Sequence, residues 1–113
     1  KIKIFRKRVF IMPKIKSEYE DLDKYKNDIG DIFYLKKDTQ LIHNPYGPAI
    51  IHKDGAKFYY IEDKRHRLDG AARIYSNGEE IYYINDKKLS KEEFELHQDR
   101  LKFLGKEYLI CMV

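Results

Sequence analysis

Apolar and polar residues alternate along two stretches, 49–61 and 72–84, and each stretch is cut near its middle by a turn dipeptide, Asp54-Gly55 in one and Asn77-Gly78 in the other. Alternation with period two argues a strand with one face on a core. A dipeptide that accepts positive φ between two such runs is the strongest short-range signal of a β-hairpin. A two-residue turn sets Ile51 opposite Phe58 and Ala49 opposite Tyr60. One face of the first hairpin is then Ala49, Ile51, Phe58 and Tyr60, and the same face of the second is Ala72, Ile74, Ile81 and Tyr83. Both faces are apolar throughout and are expected to form core. The opposite face carries Ile50, His52, Lys57, Tyr59 and Ile61, matched by Arg73, Tyr75, Glu80, Tyr82 and Ile84. That surface is mixed, as where a sheet meets water or a polar partner.

The two hairpins are copies. Residues 43–65 align with 66–88 without a gap, with ten identities: His43/His66, Gly47/Gly70, Ala49/Ala72, Ile51/Ile74, Gly55/Gly78, Tyr59/Tyr82, Tyr60/Tyr83, Ile61/Ile84, Asp63/Asp86 and Lys64/Lys87. Ordinary composition gives roughly one or two by chance, so a 23-residue supersecondary unit is used more than once. Upstream, residues 30–35 (GDIFYL) resemble the second strand of the unit and read as an incomplete copy.

On either side the period changes. Over 17–29, Ser17 and Glu20 suit a capping box, Leu22, Tyr25 and Ile29 share a helical face, and Gly30 is a natural stop, which predicts a helix. Over 90–104, Ser90 and Glu93 form a second box, Leu89 and Phe94 a hydrophobic staple, and Phe94, Leu101 and Leu104 an apolar stripe. Residues 106–113 read as a terminal strand and 1–16 as a basic arm or edge strand. The expectation is one α+β domain over 1–113: an antiparallel β-meander of repeated β-hairpins over 30–89, flanked by two short α-helices that cover the apolar face.

Composition changes this picture in two ways. The chain has 113 residues, with ten Tyr, six Phe and no Trp, and a ring bearing a hydroxyl suits positions that face core and water together. Charge is divided unevenly. Residues 1–16 hold seven basic side chains and no acid, whereas the remainder carries 16 basic and 19 acidic groups. The excess therefore belongs to one arm and not to the repeat. Met12-Pro13 reads as a start site, which would make residues 1–11 upstream or vector sequence. No apolar run is long enough to cross a bilayer and the opening is too charged for a signal peptide, so a cytoplasmic protein is expected. Cys111 stands alone and reads as an ordinary thiol.

The segment 43–94 resembles the MORN-variant repeat proteins of bacteria, bacteriophages and large DNA viruses. The resemblance rests on His66-Arg67-Leu68-Asp69-Gly70-Ala71-Ala72, Asn77-Gly78, Tyr82-Tyr83-Ile84-Asn85-Asp86-Lys87 and Leu89-Ser90-Lys91-Glu92-Glu93-Phe94. It departs from that pattern at Asn44-Pro45-Tyr46, which replace R-x-D, and at Asp86, which replaces a glycine. The resemblance implies a hairpin scaffold, an antitoxin-like annotation for some bacterial members, and no catalytic residues. It brings no lipid-binding role, because the glycine-rich spacing of the membrane-junction MORN unit is missing.

Candidate chemistry is sparse. None of the common zinc, phosphate-loop or nucleophile-elbow motifs occurs, and no metal or cofactor is expected. His43 and His66 hold equivalent places and suit a turn hydrogen bond; Asp54, Asp69 and Asp86 sit where turns favour Asp. Tyr59, Arg73, Tyr75 and Tyr82 would share the mixed face as a Tyr/Arg patch, a composition enriched at protein contacts. The leading expectation is thus a non-enzymatic module that binds another protein through that patch, compatible with a homo-oligomer and without membrane contact. The alternative is nucleic-acid binding by Lys1, Lys3, Arg6, Lys7 and Arg8 with Phe5 and Phe10 interleaved. A weaker one is a hydrolase or nuclease using His52 or His66.

Overall fold

The computed structural model describes residues 2–4 and 11–106. Its strands are β1 (Ile2–Ile4), β2 (Ile11–Ile15), β3 (Leu22–Lys26), β4 (Ile32–Lys36), β5 (Ile50–Ile51), β6 (Lys57–Phe58), β7 (Tyr60–Ile61), β8 (Lys64–Arg65), β9 (Arg73–Ile74), β10 (Glu80–Ile84) and β11 (Lys87–Leu89), followed by helices α1 (Lys91–Glu95) and α2 (Gln98–Phe103). Nine of the strands form one antiparallel sheet in the order β1-β2-β3-β4-β5-β6-β9-β10-β11, while β7 and β8 make a separate ribbon between β6 and β9 in sequence. Strands spaced about 4.8 Å apart put about 38 Å between the outer members of nine. The molecule is accordingly long, with extents of 51 × 30 × 27 Å.

The meander and its antiparallel pairing are as the alternation predicts, but the register is not. The loops at 53–55 and 76–78 have three residues instead of two. Gly55 N–H donates to the His52 carbonyl and His52 N–H to Ala56; Gly78 N–H donates to the Tyr75 carbonyl and Tyr75 N–H to Glu79. Only the glycines stand at positive φ, Gly55 at 97° and Gly78 at 89°. Asp54 and Asn77 use their side-chain oxygens to accept the N–H two residues on, from Ala56 and Glu79, which closes a tight turn without a left-handed residue at that position. The extra loop residue shifts each upstream strand by one. Phe58 lies opposite Ile50 rather than Ile51, and Ile81 opposite Arg73 rather than Ile74.

Two-residue loops with both residues at positive φ do occur, one strand later. Glu62-Asp63 have φ 46° and 73°, and Asn85-Asp86 have φ 49° and 71°. Left-handed backbone costs a non-glycine residue about 1–2 kcal/mol, and the same clasp offsets it in both places. Asp63 N–H donates to the Ile42 carbonyl and Asp86 N–H to that of Arg65. The Asp63 and Asp86 carboxylates accept the N–H of Ile42 and Arg65 in return. Glu62 N–H donates to His43 Nδ1 and Asn85 N–H to His66 Nδ1, each at 3.0 Å. The turn hydrogen bond expected of the paired histidines is therefore present.

The register shift redraws the faces. The row Tyr25, Phe33, Ile50, Phe58, Arg73, Ile81 runs across one side of the sheet, and Ile32, Ile51, Lys57, Ile74, Glu80 across the other. Neither expected apolar face exists as such. Lys57 and Glu80 flank Ile74 and stay exposed while Ile51 and Ile74 are half-buried. Buried side chains pack into two clusters, Met12, Tyr25 and Leu35 with Phe33 in one, and Ile84, Leu89 and Phe94 with Leu68 and Tyr82 in the other, while Ala49, Ile50 and Ala72 are buried in the central hairpins.

The predicted helix over 17–29 is a correction. Residues 22–26 are β3, paired on both sides with β2 and β4. Ser17 Oγ accepts the N–H of Tyr19, two residues on, instead of a helical N–H three residues on. Leu22, Asp23 and Tyr25 are buried, whereas Ile29 is 66% exposed at a loop tip. Gly30, at φ 108°, closes that loop: Gly30 N–H donates to Asn27 and Asn27 N–H to Asp31, as in the two later hairpins. The upstream copy thus has its first strand, β3. Both helices lie on the C-terminal side and divide the segment expected to be one. Ser90 and Glu93 make the capping box of α1, the chain bends at Leu96, and His97 Nδ1 caps α2 by accepting Asp99 N–H. Leu101 is buried but Leu104 is 40% exposed, so the stripe ends early. Residues 107–113 of the terminal strand expected at 106–113, and residues 1 and 5–10 of the arm, lie outside the described residues.

Candidate functional site

The four residues expected to form one Tyr/Arg patch are divided between the two sides of the sheet. Tyr59 and Tyr82 project on the side of α1. Tyr82 packs on Phe94 with ring centres 4.7 Å apart. Tyr59 lies beneath the guanidinium of Arg67, 4.0 Å from the ring centre. Arg67 is itself fixed, donating Nε to Asp69 at 2.8 Å and Nη1 to the Ala71 carbonyl at 3.1 Å. Arg73 and Tyr75 project on the other side. Arg73 stacks 4.7 Å from Phe58 and donates Nη2 to the Tyr60 hydroxyl at 2.9 Å, and Tyr75 stands edge-on to Phe58 at 5.4 Å. Arg73 Nε is buried with no partner among the described residues.

Most of these cations and rings are therefore spent on one another. Arg65 covers Tyr83 at 4.3 Å and Arg100 covers Phe94 at 4.5 Å in the same way. Cation–π contacts of this kind contribute about 0.5–1 kcal/mol at exposed sites and more where water is excluded. They also seal a sheet whose faces are too mixed for a continuous apolar core.

What remains open to a partner is a groove on the Tyr59 side. It lies between the loops 44–47 and 66–69, closed at one end by Phe103 of α2, and its volume is about 360 Å³. Tyr59, Ile61, Leu68 and Pro45 supply apolar wall, and Asn44, His66, Arg67 and Asp69 supply polar atoms. Two large rings stand on its rim with more than half of their surface in solvent, Tyr46 at 57% and Phe103 at 56%.

Local chemistry holds both walls. Buried Asn44 accepts Tyr46 N–H at 2.9 Å and donates to the Pro48 carbonyl at 3.0 Å, which folds 44–48 into a turn. Tyr46 donates its hydroxyl to Asp21 at 2.8 Å and stacks on Tyr19 at 4.8 Å. That hydrogen bond to a carboxylate raises the Tyr46 hydroxyl above its ordinary pKa. On the other wall, Arg100 Nη1 donates to the Leu68 carbonyl at 2.7 Å and ties α2 to the loop. Burial holds the His66 imidazole below its ordinary pKa. Both walls of the groove are thus held, with the exposed Tyr46 ring fixed by Asp21 and Tyr19 and the Phe103 ring carried at the end of α2.

No family model matches the chain, and no characterised protein or solved structure is significantly similar to it.

Of the four residues expected to form the Tyr/Arg patch, only Tyr59 lines this groove. Tyr46 and Phe103 were not singled out from the sequence. A signal existed for the first: Tyr46 takes the place of Asp69 within the repeat, where the unit departs from its own pattern.

The other candidates are placed as follows. His52 Nδ1 sits 3.3 Å from Asp31, with its ring edge-on to Phe58. His66 Nδ1 is committed to Asn85. Asp54 accepts a turn N–H, Asp86 accepts the backbone N–H and the side-chain Nε–H of Arg65 in β8, and Asp69 pairs with Arg67. Among the described residues no group of three His, Cys, Asp or Glu side chains is arranged to hold a metal, and no helix is long and apolar enough to cross a membrane. Lys1, Arg6, Lys7 and Arg8 lie outside the described residues. Lys3 belongs to β1, which pairs with β2.

Proposed function

We propose that the chain is a non-enzymatic protein-interaction module built from 23-residue hairpin units of the MORN-variant kind, working in the cytoplasm of a bacterium or an infected cell as a viral, phage or antitoxin-like binding protein. The reading of the unit is supported by equivalent hydrogen bonds 23 residues apart: Ala49 N–H to Phe58 and Ala72 N–H to Ile81, Asn44 N–H to Tyr60 and Arg67 N–H to Tyr83, and the two clasped turns. A departure from this regularity shapes the contact. The groove lies where Asn44-Pro45-Tyr46 replace the Arg67-Leu68-Asp69 pattern, with Phe103 of α2 at its edge.

The observation that carries the proposal is the pair of half-exposed rings, Tyr46, held by Asp21 and Tyr19, and Phe103, beside an aromatic floor at Tyr59. A concave, mostly apolar site with a few fixed polar groups is the usual form of a recognition pocket, and aromatic anchors dominate protein contacts. The occupant it suits is an extended segment of another protein that inserts one aromatic or large aliphatic side chain. Random peptides displayed on phage and selected on the immobilised chain test this. Enrichment of a motif centred on such a residue, lost with Phe103→Ser or Tyr59→Ala while the circular dichroism spectrum is unchanged, is the expected result. No enrichment, or binding indifferent to both substitutions, would refute the proposal. Selection dominated by acidic sequences, lost on removal of residues 1–8 instead, would transfer the contact to the basic arm.

A further inference from the structure

His43 and His66 are 23 residues apart, and each does the same thing with the same atom. Nδ1 accepts the N–H of the first left-handed residue of a two-residue turn, Glu62 in one case and Asn85 in the other, at 3.0 Å. An accepting Nδ1 fixes the neutral imidazole as the Nε2–H tautomer. A second proton would go onto Nδ1, turning the acceptor into a donor that faces another donor. These turns need the bond more than most, since both loop residues in each stand at positive φ.

We propose that His43 and His66 are paired acid-sensitive latches, each holding the left-handed turn of a neighbouring hairpin while neutral and releasing it on protonation. Release frees Glu62-Asp63 and Asn85-Asp86 from one of the bonds that keep them left-handed, leaving the aspartate clasp alone to hold each turn. The charged surroundings differ but do not reverse the effect. His43 faces the carboxylates of Glu62 and Asp21 and the ammonium of Lys36, and Lys36 is itself paired with Glu62 at 2.6 Å. His66 faces Asp99 and His97 at the start of α2. Burial is the largest influence on both imidazoles and holds each below the ordinary 6.5, with the carboxylates opposing it and Lys36 and His97 acting in its direction. A folded-state value lowered in this way gives stability that is fully present above 6.5 and is lost as the pH falls through the lowered folded value.

Amide hydrogen exchange and imidazole nitrogen shifts, followed by NMR from pH 8 to pH 5 on the full chain, test the proposal. Two chains are compared, the wild type and the double variant His43→Asn, His66→Asn. The asparagine Oδ1 stands about where Nδ1 stood and accepts the same N–H, yet does not titrate. In the wild type, both imidazoles are expected as the Nε2–H tautomer at pH 8. Protection of Glu62 and Asn85, corrected for intrinsic exchange, is expected to fall below pH 6.5 by up to about tenfold per pH unit for each histidine. In the double variant it is expected to stay level. If the double variant does not fold, His66→Asn alone serves, with Glu62 as the internal reference that keeps its pH dependence while Asn85 loses it. Equal loss of protection in wild type and variant, or Glu62 and Asn85 resonances that ignore the imidazole titrations, would overturn the proposal.

Discussion

Gly55 and Gly78 sit at φ 97° and 89° with no atom near the place a Cβ would occupy, while Gly47 has equally open space and no positive φ. The contrast isolates backbone conformation from crowding. Gly55→Ala is expected to lower stability by about 1–2 kcal/mol, and Gly47→Ala to leave it nearly unchanged. Urea unfolding of the two variants measures the difference directly. Equal effects would mean that the loop at 53–55 does not use a left-handed third residue. The same scale explains why the Tyr/Arg patch was only partly legible. Tyr59, Arg73, Tyr75 and Tyr82 are half-buried, as alternation suggests, but alternation cannot say that Arg67 lies on Tyr59 or that Phe94 covers Tyr82. Those contacts come from residues eight and twelve positions further along, brought back by turns whose length the sequence leaves open.

At the scale of elements, two segments carried the same capping signature and folded differently. Ser90 and Glu93 form a true box ahead of α1, whereas Ser17 and Glu20 precede a turn and a strand. Ser90→Ala is therefore expected to cost about 1 kcal/mol, and Glu20→Ala, at an exposed position, close to nothing. Thermal unfolding of the pair checks this, and a comparable loss in both would argue for a helix over 17–29 after all. The misreading has a physical source. Leu22, Tyr25 and Ile29 are spaced for a helical face, but Asp23 and Tyr25 both lie inward on β3. Asp23 is satisfied there by Lys14 at 2.9 Å and by the N–H of Asp38 at 3.0 Å. A buried carboxylate with partners from two other segments is invisible to periodicity. The hairpins themselves were legible because ten identities and the Gly dipeptides are local. Their loop length was not, since Asp-Gly and Asn-Gly fit a two-residue turn and a three-residue loop equally well.

The whole molecule is a narrow, twisted file of short hairpins, with two buried clusters and a set of stacked cations and rings. A radius of gyration of 15.6 Å exceeds the roughly 13 Å expected of a compact domain of this length. Such a shape gives much surface per residue. The groove beside Tyr59 could not be read from the chain because four separated segments build it: 44–47, 59–61, 66–69 and the end of α2. Its position follows from the register, and the register is the central claim. Interstrand Hα–Hα cross-peaks in a NOESY spectrum report it most directly, because they are strongest between residues facing each other in non-hydrogen-bonded pairs. Cross-peaks joining Ile51 to Lys57 and Ile74 to Glu80 are predicted; cross-peaks joining His52 to Lys57 and Tyr75 to Glu80 would show two-residue loops and contradict the account.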